Sequence, residues 1–192
     1  MENFRNTIIL ASKSPRRIEL LEKAGFDFKV VPSSADEATH TDGAPYTLAT
    51  DNAKAKAEDV AAAYPNNIVL GSDTIVVLDN KIYGKPKDLN DARKMIAELQ
   101  GKTHSVFTAV ALILKNKNIT DISYDESRVT FKPMSPADIE NYLDKVHVLD
   151  KAGSYAAQEF GELIIEKIDG AFDNVMGLPI ELLKKRLDTI QK

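Results

Sequence analysis

Two short segments of this chain carry side chains that could do chemistry together. Asp73 sits in Gly71-Ser72-Asp73-Thr74 between the apolar runs Ile68–Leu70 and Ile75–Leu78, and Lys85 follows in Gly84-Lys85-Pro86. The β-branched runs suit strands, so the sequence predicts a carboxylate at a strand junction. Asp79-Asn80 tolerates positive φ and predicts a hairpin that returns Lys85 toward the start of the second strand, beside the acid. An acid and a lysine that converge can activate water beside an anion, or can simply form a structural ion pair; residue types alone leave both open. The second segment is Ser12-Lys13-Ser14-Pro15-Arg16-Arg17, with Ser14 placed as an N-cap and Pro15 as the first helical residue. Two hydroxyls, two arginines and the N–H groups of a helix start suit a phosphate group, and equally a capped surface helix with solvated arginines.

The elements that must position these groups follow from periodicity. Thr7 to Ala11 reads as a strand, and the helix after it packs through Ile18, Leu21 and Ala24 and closes at Gly25. Phe28 to Val31 reads as a second strand, Pro32 to Pro45 as a polar loop, and Tyr46 to Tyr64 as an alanine-rich helix stopped by Pro65. Lys54 and Lys56 on that helix lie about 200° apart around its axis, so at most one looks inward. Asp88 to Leu99 predicts a packing helix capped by Asn90, with Leu89, Ala92, Ile96 and Leu99 on its inner side and Gly101 as its stop. Thr103–Leu114 and Ile119–Lys132 are expected to pair as an antiparallel hairpin through Asn116-Lys117-Asn118. Ser135-Pro136-Ala137-Asp138 opens a helix that runs to about Lys145. Asp150–Phe160 reads as irregular loop, Glu162–Ile168 as a strand, Asn174–Pro179 as a tight connection, and Pro179–Leu187 as a closing helix packed through Ile180, Leu183 and Leu187. The interspersed order predicts an α/β fold with a mixed sheet and flanking helices, in one domain over residues 1–192.

Composition narrows the function classes. The 192 residues, 43% hydrophobic and 28% charged, are ordinary for a globular protein, and a net charge of −4 disfavours a nucleic-acid partner. There is no cysteine, hence no disulfide framework and no thiolate metal site. No membrane span and no signal peptide are evident, so a cytoplasmic protein is expected. His40, His104 and His147 have no partners at metal-ligand spacing, and structural roles are expected for them. Gly84-Lys85-Pro86 lacks the glycine-rich lead-in of a Walker loop, which disfavours kinase-like or GTPase-like chemistry.

Taken together, Leu10 to Arg17, Gly71 to Thr74 and Gly84 to Pro86 resemble the Maf family of nucleoside triphosphate pyrophosphatases. The resemblance continues through Lys54 to Ala57, Gly101 to Val110 and Asp150 to Gln158, and so reaches from about Ile9 to Leu187. It implies an elongated, two-lobed, inosine triphosphatase-like fold with a central cleft, and hydrolysis of a nucleoside triphosphate to monophosphate and pyrophosphate. It also implies a divalent metal cation, Mg²⁺ or Mn²⁺, held by Asp73 and Glu37, with Asp73 accepting the proton of the attacking water. Lys54, Lys85, Arg17 and Ser12 would hold the phosphates, the family pattern Lys-Ala-x-Ala pointing to Lys54 as the inward lysine of its helix. The helix patterns fix no interface, and the family precedent implies a homodimer.

Within the family, Arg16, Thr74 and Gln158 match the branch acting on dTTP and UTP, not the branch preferring 7-methyl-GTP. A neutral amide suits the O4 and N3–H edge of thymine or uracil. Ala156-Ala157-Gln158-Glu159 departs from the more usual Gly-Ile-Gln-Gly and leaves the pocket's shape open. The rival readings are 7-methyl-GTP specificity and a nucleotide-binding regulator of cell division without turnover. The set Asp73, Lys85, Lys54 and Glu37 argues against the regulator, because a pure binder needs no water-activating acid.

Overall fold

A computed structural model describes residues 7–190; residues 1–6, within the segment read as lacking a targeting signature, and residues 191–192 lie outside it. Seven strands form one mixed sheet among the described residues, in the order β2-β1-β3-β5-β6-β7, with β4 paired to β3. These are β1 (Ile8–Leu10), β2 (Phe28–Val30), β3 (Val69–Leu78), β4 (Lys81–Tyr83), β5 (Thr103–Leu114), β6 (Ile119–Phe131) and β7 (Ile165–Asp169). The helices are α1 (Pro15–Lys23), α2 (Pro45–Ala61), α3 (Leu89–Leu99), α4 (Pro136–Leu143), α5 (Phe172–Met176) and α6 (Ile180–Ile190). β1 runs parallel to both β2 and β3, whereas β3–β4 and β6–β7 are antiparallel. The α/β fold with a mixed sheet and flanking helices is therefore as expected.

The chain divides into two compact units, and the strands β3, β5 and β6 contribute residues to each. The first unit comprises Met1–Asp73, Thr108–Asp125 and Gly177–Lys192. Its buried residues include Ile9 and Leu10 of β1, Leu21 of α1, and Val69 and Leu70 of β3. α2 lies against β3 through Ala53 and Ala57, and a Cβ on Gly71 would come within 2.1 Å of the Ala53 carbonyl oxygen. Only glycine permits so close an approach of helix to strand. The second unit comprises Thr74–Phe107 and Glu126–Met176. Its core gathers Val76, Ile96, Leu99, Phe131, Tyr142, Tyr155 and Ile164, and α3 packs on α4 within it.

Several local expectations are corrected. Ile68–Leu70 and Ile75–Leu78 do not form two strands around a junction; Val69 to Leu78 is one strand, and Gly71 marks a close packing contact within it. α3 is capped by Asp88, whose side chain accepts from the Asp91 N–H, while Asn90 accepts from Arg93 and Leu89 is exposed. The segment expected as a tight connection up to Pro179 begins inside the short helix α5, and β7 begins after a 3₁₀ turn over Gly161–Leu163. Turn chemistry is as expected where it is local. Asp79 and Asn80 both have positive φ and join β3 to β4, and Ser135 with Asp138 forms a reciprocal capping box on α4. β5 and β6 are neighbours joined by only four residues, a span that only an antiparallel pair permits.

Candidate active site

Asp73 closes the first unit's share of β3, directly beyond the stretch on which α2 packs. α2 carries an i, i+4 row of Leu48, Asn52, Lys56 and Val60, all buried, beside the fully buried alanines Ala49, Ala53 and Ala57. The apolar residues and alanines dock the helix, and the two polar residues of the row meet the carboxylate. Lys56 Nζ donates to Asp73 Oδ1 at 2.6 Å, and Asn52 Nδ2 donates to Asp73 Oδ2 at 3.3 Å. Lys56 Nζ also lies 2.9 Å from Glu37 Oε1 and donates to the Ser72 carbonyl. One buried ammonium thus joins two carboxylates that are far apart in sequence.

Lys54 is not the inward lysine. It is part-exposed and faces Glu58 at 3.6 Å, whereas only 9% of the Lys56 side chain is exposed. The physical reason is the helix register: Lys56 lies on the row between Leu48 and Val60, and Lys54, two residues away, must leave that face. Asn52 and Lys56 are the partners of Asp73 that sequence reasoning missed. Their signal was a polar pair bracketed by larger apolar residues at four-residue spacing.

The segment before and into α1 joins the same unit. Arg17 is buried; its Nε donates to the Gly177 carbonyl at 2.8 Å and its guanidinium donates to Ser12 Oγ. Ser72 Oγ donates to the same Gly177 carbonyl, so Arg17 is anchored beside the strand that carries Asp73. Burial lowers the Arg17 pKa, opposed by the negative charge of Asp73 and Glu37. Ser12 Oγ also accepts from the Ser14 N–H, and Ser14 is the N-cap residue of α1 without a side-chain cap bond. Arg16 is half-buried on the first turn of α1.

Thr74, Lys85 and Gln158 belong to the second unit. Thr74 is half-buried on β3 and follows Asp73 in the chain. Lys85 is exposed just beyond β4, and the β3–β4 register, Val76 opposite Tyr83, leads the chain back toward the level of Thr74. Gln158 Nε2 donates to Glu159, while its enclosed Oε1 has no hydrogen-bond partner among the described residues. His104 is a core residue: Nε2 pairs with the Tyr155 hydroxyl at 2.9 Å and the ring meets Phe131 edge-on.

Asp73 and Glu37 are hard oxygen donors, and no group of three His, Asp or Glu side chains gathers among the described residues. The pair fits a hard divalent cation that keeps waters and takes one or two protein carboxylates.

Comparison with known proteins agrees over nearly the whole chain. The family described as Maf-like protein matches residues 7–190. A "dTTP/UTP pyrophosphatase" of Akkermansia muciniphila is 44% identical over 94% of this chain and 95% of its own. Proteins of the same name from Dictyoglomus thermophilum and Bacillus cytotoxicus are 40% and 44% identical, covering 97% and 93% of both chains respectively. Among solved structures, a HAM1 protein from Coxiella burnetii covers 95% of this chain and 98% of its own with a TM-score of 0.53 at 14% identity, a likeness of fold alone. Since the matched region contains the Ser12–Arg17 segment, the α2 row and Asp73, and runs through every described element, the chain belongs to the Maf family.

Proposed function

We propose that this protein hydrolyses dTTP and UTP to the monophosphate and pyrophosphate. The observation that carries the reading is the Asp73 carboxylate, held on one oxygen by Lys56 and on the other by Asn52, with Glu37 on the same ammonium. The names of the relatives, at 40–44% identity over nearly full length, support the choice of substrate. The nucleotide is the partner in this reading, and the cytoplasm its setting. Among the described residues no helix is long and apolar enough to cross a membrane.

Asp73 and Glu37 would hold the divalent cation, Mg²⁺ or Mn²⁺, which when bound neutralises triphosphate charge and polarises the phosphoryl oxygens. The remaining work falls to the chain. Asp73 Oδ2, which has the longer of the two hydrogen bonds, accepts the proton of the attacking water. The water oxygen bonds to the α-phosphorus, the bond from that phosphorus to the bridging oxygen breaks, and pyrophosphate leaves with the electron pair. Lys56, placed between two carboxylates, and the Ser12–Arg17 segment balance the charge that develops on the phosphates. The family resemblance alone assigns Lys85 to the phosphates and Arg16, Thr74 and Gln158 to the nucleotide.

Product analysis tests the reading. The protein with Mg²⁺ or Mn²⁺ is expected to release monophosphate and pyrophosphate from dTTP and UTP, and Asp73→Asn to abolish release while circular dichroism shows the fold of the native chain. Selective cleavage of 7-methyl-GTP would overturn the substrate choice, and nucleotide binding without turnover would overturn the enzyme.

A further inference from the structure

Glu37 lies on a loop without regular structure, between β2 and α2, yet the reading above needs it at a fixed distance from Asp73. α2 holds that loop at three successive levels. Asp59 accepts from Ser33 Oγ at 2.8 Å and from the Ser34 N–H at 2.7 Å; Lys56 takes Glu37; and Asn52 takes Ala38. The Asn52 contact differs in kind from the other two. Its Oδ1 accepts from the Ala38 N–H at 2.8 Å while its Nδ2 donates to the Ala38 carbonyl at 3.0 Å, so one side-chain amide satisfies both polar groups of a loop residue's backbone. The same Nδ2 is 3.3 Å from Asp73 Oδ2. Asn52 is buried, and no aspartate or leucine at this position could make all three bonds.

We infer that Asn52 is a positioning residue that latches the Glu37 loop to the Asp73 carboxylate and so preorganises the two acids for a divalent cation. The inference rests on the proposed function for the role of the cation. The latch itself rests only on the three hydrogen bonds. Without them the loop keeps its hold on Asp59 at Ser33 and Ser34, but the stretch that carries Glu37 loses its backbone tie beside Asp73 and meets the acid through the flexible side chain of Lys56.

The experiment measures backbone hydrogen exchange and binding of Mn²⁺ alone, without nucleotide, in the native chain and three variants. In Asn52→Leu, which keeps bulk and helix propensity, the Ala38 amide is expected to exchange about tenfold faster and Mn²⁺ to bind about tenfold more weakly, the size of one lost hydrogen bond. In Asn52→Asp the acceptor for the Ala38 N–H survives, so Ala38 stays protected. In Asp59→Ala exchange rises at Ser34 while Ala38 stays protected. A residue that merely filled the core would leave Mn²⁺ affinity unchanged in Asn52→Leu. Should Asn52→Leu fail to fold, Asn52→Ser, too short to reach Ala38, carries the same comparison. Unchanged Ala38 exchange overturns the latch, and faster exchange with unchanged Mn²⁺ affinity overturns its role in preorganising the acids. Both readouts stand without turnover, so a native chain that hydrolyses no nucleotide would sink the proposed reaction and leave the latch standing.

Discussion

Each of the two units buries a polar cluster, and the two clusters are built on opposite electrostatic plans. Around Asp73 the first unit buries charge, with Lys56 against two carboxylates and Asn52 and Ser72 Oγ filling hydrogen-bond positions nearby. Around His104 the second unit buries neutral groups, with imidazole, phenol and phenyl rings packed edge to face and Nδ1 left without a hydrogen-bond partner among the described residues. Removing one member of a buried ion pair strands the other, whereas an aromatic cluster keeps most of its packing energy in area and shape. The first arrangement is costly to build unless charge is wanted there. The second stabilises a fold without offering chemistry.

The largest effect should therefore come from the charged cluster, and it should separate two lysines that look alike in sequence. Lys56→Gln leaves Asp73 and Glu37 facing each other without their shared cation, and is expected to lower kcat/KM for dTTP by about 10²- to 10³-fold. Lys54→Gln removes only a part-exposed partner of Glu58 and should stay within about twofold. Steady-state kinetics of the two variants side by side decide the matter. Equal losses would mean that Lys54 also reaches the substrate.

Next in size is the packing that brings α2 to the acid. Gly71→Ala places a methyl group 2.1 Å from the Ala53 carbonyl oxygen and 2.9 Å from the Ala57 nitrogen. Both are backbone atoms of a helix and cannot rotate aside, so the helix must lift from β3, at a cost of about 3 kcal/mol or more. Urea unfolding should show that loss, with a fall in activity beyond it because Lys56 and Asn52 retreat with the helix. The matching change in the second unit, Gly153→Ala, meets Val76 side-chain atoms at 2.9 Å and more, together with a φ of +68°. It should destabilise the chain without the added loss of turnover.

What the sequence disclosed and what it withheld divides along the same line of reach. The hairpin at Asp79-Asn80 and the capping box of Ser135 and Asp138 could be read because each is decided within four residues. The choice between Lys54 and Lys56 could not be made that way, since it depends on which row of α2 meets a strand that begins eight residues after the helix ends. Alanines on several sides of α2 blur its inner face, and the row Leu48-Asn52-Lys56-Val60 was the remaining clue. Asp73 was recognisable from its motif, but its partners are set by Gly71, whose smallness reads in sequence as an interruption between two strands. The distance from Glu37 to Asp73 was legible only through family resemblance, because a polar loop has no periodicity to read.

The smallest effect tests the neutral cluster. Burial lowers the His104 pKa to about 4, and among the described residues no charged group offsets it: the ring meets Phe131 and Tyr155, and burial pushes up the pKa of the Tyr155 phenol. The unfolded chain then binds a proton at His104 below about pH 6.5 while the folded chain does not until near pH 4, so stability from this residue is full above pH 6.5 and falls between the two values. Between pH 7 and pH 5 the loss is on the order of 2 kcal/mol. His104→Gln can still reach the Tyr155 hydroxyl but cannot titrate, so its urea-unfolding free energy should change less over that interval than that of the native chain by about this amount. The difference between two pH values removes any constant cost of the substitution. Identical pH dependence in both proteins would mean that His104 binds its proton equally in the folded and unfolded states, and the second unit would then hold a buried charge at pH 5 as the first one does.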